Sequence, residues 1–226
     1  MLWIMRQRTA TVLESAVKEF IRFGKPVSSE LLFEKGDFGV KSATIRAELN
    51  RLTEDGFLTQ PYTSGGRVPT DDGYKFYVER ILLDDGEDLK TREIAKAGDL
   101  ADFVREIAEE LRLLGIGYYP EEQELRVSGL HELFAKIDII TKQEVFEIIK
   151  DFEMLNERID RILDHLSGKT PRVFIGKSPI TKSRHLSVVA DIYDSDGEEL
   201  VLVAVGPKRM DYKKVIQRFK SYVGRN

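Results

Sequence analysis

The stretch that most narrows what this chain can fold into runs from residue 40 to residue 77 and reads VKSATIRAELNRLTEDGFLTQPYTSGGRVPTDDGYKFY. Ile45, Leu49 and Leu52 recur there with helical spacing, so one side of a helix is predicted to face a core. At about 100° per residue, Ala43, Ala47 and Asn50 point the other way, with Thr44, Arg46 and Arg51 on the flanks and Lys41 and Ser42 at the start. Two alanines let a helix approach another surface closely, while asparagine and arginine can form bidentate pairs with adenine and guanine edges. That side suits a DNA major groove.

Gly56 closes this helix, and Phe57, Leu58 and Thr59 have the apolar, β-favouring character of a strand that Pro61 ends. Thr63, Ser64, Gly65 and Gly66 read as a turn in which the two glycines are expected to supply positive φ. Arg67 and Val68 then return as a second short strand before Pro69. A helix followed by a two-stranded ribbon with Arg67 near its tip describes a winged helix. An ordinary helix and hairpin packed on a core fits the same pattern. On the first reading the DNA-facing set is Lys41, Ser42, Ala43, Thr44, Arg46, Ala47, Asn50 and Arg51 from the helix, with Thr63, Ser64 and Arg67 from the ribbon.

Upstream, Leu13, Val17, Phe20 and Ile21 mark a first helix that ends before Gly24, and Ser28 is a cap for a short second helix carrying Leu31, Leu32 and Phe33. Thr70 opens a fourth helix whose Tyr74, Tyr77, Val78, Ile81 and Leu82 share one stripe. These aromatics read as core. Residues 84 to 93, DDGEDLKTRE, are acidic and polar, which places a domain boundary there: 1–83 as the winged helix-turn-helix domain, 84–99 as a linker and 100–226 as a second domain.

In the second half, Leu100, Phe103, Val104, Ile107, Ala108, Leu111 and Leu114 keep a helical period, and Gly115 to Tyr119 and Leu125 to Val127 read as short strands around Pro120. Thr141 and Glu144 form a capping box for what reads as one regular helix from 141 to 166. Val145, Ile148, Phe152, Leu155, Ile159 and Ile162 then step by three and four, a heptad pattern that can pair helices between subunits. The same residues suit a helix lying on its own sheet, since Ile149 and Leu163 widen the apolar stripe as that arrangement expects. After Gly168 and Pro171 the period falls to two: Arg172 to Ile175, Leu186 to Tyr193 and Glu199 to Val205 read as strands, the last two joined by a turn at Asp194 to Gly197. A final helix carries Tyr212, Val215, Ile216, Phe219 and Val223, with Asp211 as its cap. The fold class is therefore α+β, with an antiparallel sheet and long helices in the second domain.

Several of these segments resemble the heat-inducible transcription repressor family HrcA: PVSSELL at 26–32, SATIRAEL at 42–49, DGFLTQPYTSGGRVPTDDGYKFYV at 55–78, then VVADIY at 188–193 and VAVGPKRMDYKKVI at 203–216. The family's ribbon usually reads His-Thr-Ser-Ala-Gly-Arg, whereas Tyr62 and Gly65 stand here in place of the His and the Ala, which is expected to loosen the turn. The resemblance implies that the second domain is a reduced GAF-like domain without the family's inserted dimerisation domain. It also implies a dimer on an inverted repeat in double-stranded DNA upstream of chaperone genes, silencing them, and dependence on the chaperonin as a partner. The helices at 100–114 and 145–166 are then expected to replace the absent insertion in holding the dimer.

Composition sets limits on the alternatives. A net charge of −4 does not announce a nucleic-acid partner, and residues 1 to 80 hold 12 Lys and Arg against 11 Asp and Glu, so the DNA reading rests on where Lys41, Arg46, Arg51 and Arg67 sit. With no cysteine, thiolate chemistry and zinc-thiolate sites are excluded, which suits a reducing cytoplasm. No apolar run approaches the roughly 18 residues that span a bilayer, and Met1 to Met5 is too short for the apolar part of a signal peptide. His131, His165 and His185 lack metal-ligand spacing, no cofactor or nucleotide motif is present, and Lys208 and Arg209 in VGPKRMDY fit a turn and cap better than an anion site. The chain does not read as an enzyme. Beside the repressor stand two alternatives, a winged-helix regulator with a small-molecule-sensing second domain and a protein-interaction module that binds no DNA.

Overall fold

The structure is a computed structural model, and it describes residues 5–36, 38–62, 65–84, 93–94, 99–137, 141–166, 171–195 and 198–223. The chain divides into two units, Met1–Ile81 and Leu82–Asn226, each with its own core.

In the first unit, α1 (Gln7–Phe23) buries Val12, Leu13, Ala16 and Val17 and ends on Gly24, whose φ of 65° lets its N–H reach the Phe20 carbonyl. The short α2 (Ser29–Lys35) starts where Ser28 Oγ accepts from the Leu31 N–H at 3.1 Å, and of its apolar residues Leu32 is buried while Phe33 is 51% exposed. Helix α3 (Ser42–Glu54) turns Ile45, Leu49 and Leu52 into the core, as their spacing predicts. Buried Glu48 adds a polar tie between α3 and α1, accepting from Arg8 Nε and Thr9 Oγ1 at 2.8 Å each. Burial pushes its carboxyl up, but these hydrogen bonds and the Arg8 and Arg51 charges outweigh that and hold its pKa below the usual value.

Strands β1 (Leu58–Thr59) and β2 (Val68–Pro69) pair antiparallel, Leu58 opposite Pro69 and Thr59 opposite Val68. Helix α4 (Asp71–Asp84) follows, its first turn capped by Thr70 Oγ1, which accepts from the Gly73 N–H at 3.2 Å. Tyr74, Val78 and Ile81 are buried, as is Phe76, edge-on to Phe57 at 6.0 Å, and Tyr77 is half-buried.

The second unit is a mixed α and β body. The stretch expected as a linker contributes a strand of its own, β3 (Glu93–Ile94), parallel to the end of β7 (Leu186–Ser195). Helix α5 (Leu100–Leu111) is capped by Asp99 and leads into β4 (Leu114–Tyr119) and β5 (Glu124–Ser128). After α6 (Leu130–Lys136) and the helical segment 142–163 come β6 (Arg172–Ile175), β7, β8 (Glu198–Pro207) and α10 (Tyr212–Val223). Asp211 caps α10, its Oδ1 accepting from the Lys214 N–H at 3.0 Å. The described residues form a sheet in the order β3-β7-β8-β4-β5, with β6 also on β7. The long hairpin β7–β8 keeps one register from Leu186 opposite Pro207 to Ser195 opposite Glu198, while its turn residues Asp196 and Gly197 lie outside the described residues.

The described residues of this unit stack in three layers. On one face α5 approaches so closely that a Cβ at Gly115 would stand 2.9 Å from the Val104 carbonyl oxygen and one at Gly117 2.7 Å from Leu100. Arg218 ties α10 to α5, bonding Glu110 at 2.9 Å and Glu106 at 3.0 Å. On the other face Leu114, Ile116, Val188, Val201 and Val203 meet Leu133, Ile148, Leu155, Ile159, Ile162 and Leu166 in one buried core.

That core corrects the expectation of a single heptad helix pairing two subunits. Residues 142–163 form α7 (Lys142–Glu153), α8 (Leu155–Arg158) and α9 (Asp160–Leu163), turning at Met154 with φ −95° and ψ 16°. Ile148, Leu155, Ile159 and Ile162 are buried against the chain's own sheet, Phe152 packs partly against the same cluster and Val145 is half-buried. The apolar surface of Ile148, Leu155, Ile159 and Ile162 is already covered without a second copy. The physical reason lies in the winding. An α-helix of 3.6 residues per turn drifts from a 3.5-residue repeat by about 20° per heptad. A coiled coil absorbs the drift by supercoiling; here tightened turns absorb it, with Glu157 N–H bonding Met154 O, Ile162 N–H bonding Ile159 O and Leu166 N–H bonding Leu163 O, all three residues apart. Such turns lower the mean residues per turn and keep the stripe on the sheet.

Candidate nucleic-acid interface

The outward side of α3 carries the residues the sequence singled out. Lys41, Ala43, Arg46, Ala47, Asn50 and Arg51 are exposed, and Ser42 and Thr44 are half-buried at the start of the helix. Burial of Ile45, Leu49 and Leu52 behind them fixes which side is presented. Thr63 and Ser64 lie outside the described residues.

Two of the arginines are engaged rather than free. Arg46 Nη2 bonds Glu30 Oε1 at 2.5 Å and its Nε reaches Ser29 Oγ at 3.4 Å, linking α3 to the first turn of α2. The Glu30 backbone N–H, then the Arg46 guanidinium, hold the Glu30 carboxyl down at about 2. Its charge is therefore present throughout the neutral range and is lost only as pH falls toward that value. In a carboxyl-carbon NMR titration we expect the Glu30 midpoint near 2, rising in Arg46→Ala yet staying below the ordinary glutamate value, because the backbone donor remains.

Arg67 lies on the turn side of the Thr59–Val68 pair. Its backbone forms an isolated antiparallel bridge with Val27, N–H to O at 2.8 Å in both directions, which ties the turn side of the ribbon to the chain just before α2. Its side chain reaches back to α3: Nη2 donates to Asn50 Oδ1 at 2.6 Å and Nε to Thr53 Oγ1 at 3.0 Å. With Oδ1 held by Arg67, the Asn50 amide has a defined orientation. Arg51 makes a looser contact with Asp55 at 3.6 Å.

One glycine of the ribbon departs from expectation. Gly66 does not have the positive φ expected of it. Gly66 is required by contact instead, since a Cβ there would lie 2.6 Å from both the carbonyl carbon and oxygen of Val27. Gly66 is thus packed against the Val27 main chain, and Gln60 Nε2 donates to the Gly65 carbonyl at 3.0 Å.

A polar cleft of about 610 Å³ lies between α2, α3 and the ribbon, lined by Ser28, Glu30, Arg46, Asn50, Gln60 and Arg67 among others. Sequence reasoning missed Ser29, Glu30 and Gln60 as partners. The signal for Glu30 was its place in the first turn of α2, a carboxylate next in the chain to a helix with Arg46 on its outward side. Among the described residues no group of three or more His, Asp or Glu side chains is placed to hold a metal, and no helix is long and apolar enough to cross a membrane.

Comparison with known proteins gives this arrangement relatives. The family model described as the HrcA protein C-terminal domain matches residues 79–216. A heat-inducible transcription repressor HrcA of Acetivibrio thermocellus is 33% identical over 212 residues, covering 93% of this chain and 57% of that protein. Its counterpart in Rhodococcus jostii is 30% identical over 212 residues, covering 86% of this chain and 60% of that protein. The chain thus spans less than two thirds of the length of these curated relatives. A crystal structure described only as that of a hypothetical protein shares the fold, with a TM-score of 0.77 at 18% identity over 98% of this chain and 97% of that one. On the match over residues 79–216, more than half of its length, the chain belongs to the HrcA family.

Proposed function

We propose that the chain is a sequence-specific DNA-binding repressor of heat-shock genes whose first unit is a winged helix. Helix α3 enters the major groove and the ribbon follows the phosphate backbone. Arg46 and Asn50 read base edges, Ala43 and Ala47 permit the close approach, and Lys41, Ser42, Thr44 and Arg51 meet phosphates. Thr63 and Ser64 extend the backbone contact. Arg67 acts from behind, by orienting Asn50. The observation that carries the reading is the exposed Ala43, Arg46, Ala47 and Asn50 side of a helix whose leucines are buried. Relatives named as heat-inducible transcription repressors supply the regulatory context.

The role is one of binding rather than catalysis, in the cytoplasm, with residues 1–83 on the operator and the GAF-like second domain as the regulatory part. An inverted repeat places two recognition helices about one turn of DNA apart, so the operator is bound by two copies, and the chaperonin is the family-derived candidate for the partner that keeps them active. The near-neutral charge of residues 1 to 80 makes non-specific binding weak and its salt dependence shallow.

Titration of a labelled inverted repeat from upstream of a chaperone operon tests this. Wild type is expected to prefer it over a scrambled duplex, and Arg46→Ala is expected to lose about 1–3 kcal/mol of that preference. Equal weakening on both duplexes would assign Arg46 to phosphate alone, and no binding of either at low salt would leave the unit a protein-interaction module.

A further inference from the structure

A second cleft, of about 650 Å³, opens in the other unit between α7 with its following turn and the loop from 177 to 185. Its volume is in the range of small-molecule sites. The loop is held from beneath by a buried ion pair: Arg158 Nη1 meets Asp151 Oδ1 at 2.7 Å and the Ile180 carbonyl at 3.1 Å. Asp151 Oδ2 accepts from Thr181 Oγ1 at 2.8 Å and from the Lys182 N–H at 2.6 Å. Every oxygen of Asp151 is thereby used. Arg158 is not saturated: its side chain lines the cleft at 8% exposure, yet among the described residues only Nη1 has a partner, leaving the Nε and Nη2 donors open.

The walls reinforce that imbalance. Lys150, Lys177, Lys182 and Arg184 all line the cleft, and among the described residues none has a carboxylate within ion-pair distance. The opposing carboxylates are mostly taken. Glu144 is engaged by His185 at 2.7 Å and by the Thr141 hydroxyl at 3.0 Å, which leaves Glu147, bonded to Gln143 at 3.3 Å. A concave surface with low-dielectric walls concentrates the field of such charges, so four cations converging there repel one another until an anion neutralises them. Met154 adds one apolar wall.

We propose that this cleft is a binding site for a small, multiply charged phosphate-bearing molecule, with the Arg158 donors meeting one phosphoryl group and Lys177, Lys182 and Arg184 closing over the others. The site is separate from the α3 face and does not depend on the DNA reading.

Calorimetric titration of the full chain with sodium tripolyphosphate at constant ionic strength tests the assignment. A saturable one-to-one isotherm is expected for wild type, weakened about tenfold in the Lys182→Gln, Arg184→Gln double variant, whose side chains are exposed and whose loss leaves the fold intact. Lys150→Gln with Lys177→Gln is expected to weaken it comparably. Lys41→Gln with Arg51→Gln on α3 is expected to leave it unchanged. Absence of saturable binding in wild type, undiminished affinity in both cleft variants, or loss confined to the α3 variant would overturn the proposal. So would displacement of the probe by duplex DNA, which would make the cleft a contact for nucleic-acid phosphates.

Discussion

Asp151→Ala is expected to lower the stability of the second unit by about 3–5 kcal/mol, read as a lower midpoint in urea unfolding. Asp151 and Arg158 are both nearly fully buried, and the carboxylate neutralises the guanidinium while anchoring Thr181 and the Lys182 backbone. Deleting it leaves a largely buried positive charge without its counter-ion, and frees a loop whose Ile180 is fully buried. Asp151→Ala combined with Arg158→Met removes both charges and is expected to recover part of the loss, because no charge is left without its counter-ion. A double variant no more stable than the single one would show that the hydrogen bonds to Thr181 and Lys182, rather than the stranded charge, account for the cost.

Gly66→Val is the corresponding substitution in the first unit, with an expected cost of roughly 2–5 kcal/mol from overpacking and from loss of the two backbone hydrogen bonds between Val27 and Arg67. The new side chain has no flexible neighbour to displace; what stands 2.6 Å from its Cβ is main chain. On the proposed function the effect extends beyond stability. Once the ribbon lifts, Arg67 no longer reaches Asn50, and preference for the operator is expected to fall even at temperatures where the variant is folded. A melting curve paired with the duplex titration separates the two effects. Unchanged melting would mean that the ribbon shifts without strain.

How much of this could be read from the sequence depended on whether the controlling force was local. Capping and periodicity are local, and Ser28, Thr70, Thr141 and Asp211 all cap where the sequence placed them. The strands 172–175, 186–195 and 198–207 also form where the period falls to two. The heptad was legible as a pattern, but which surface it covers depends on how tightly the backbone winds, and that is set by the sheet beneath it. β3 was hidden because two residues of parallel pairing carry no periodic signal. In the candidate site the outward residues of α3 could be named in advance, since helical geometry alone decides them. Their partners could not. Glu30 meets Arg46 across 16 positions and Arg67 meets Asn50 across 17, distances at which spacing gives no information.

The bond from Arg67 to Asn50 has one further consequence. A free asparagine amide samples several rotamers and must surrender them on docking, at about 0.5–1.5 kcal/mol for a side chain immobilised at an interface. Here that ordering cost is met when the ribbon folds onto the helix, before any target arrives. On the proposed function ribbon and helix therefore act as a coupled pair: a change at position 67 is expected to alter what position 50 selects, although the two are joined by no pattern in the primary structure.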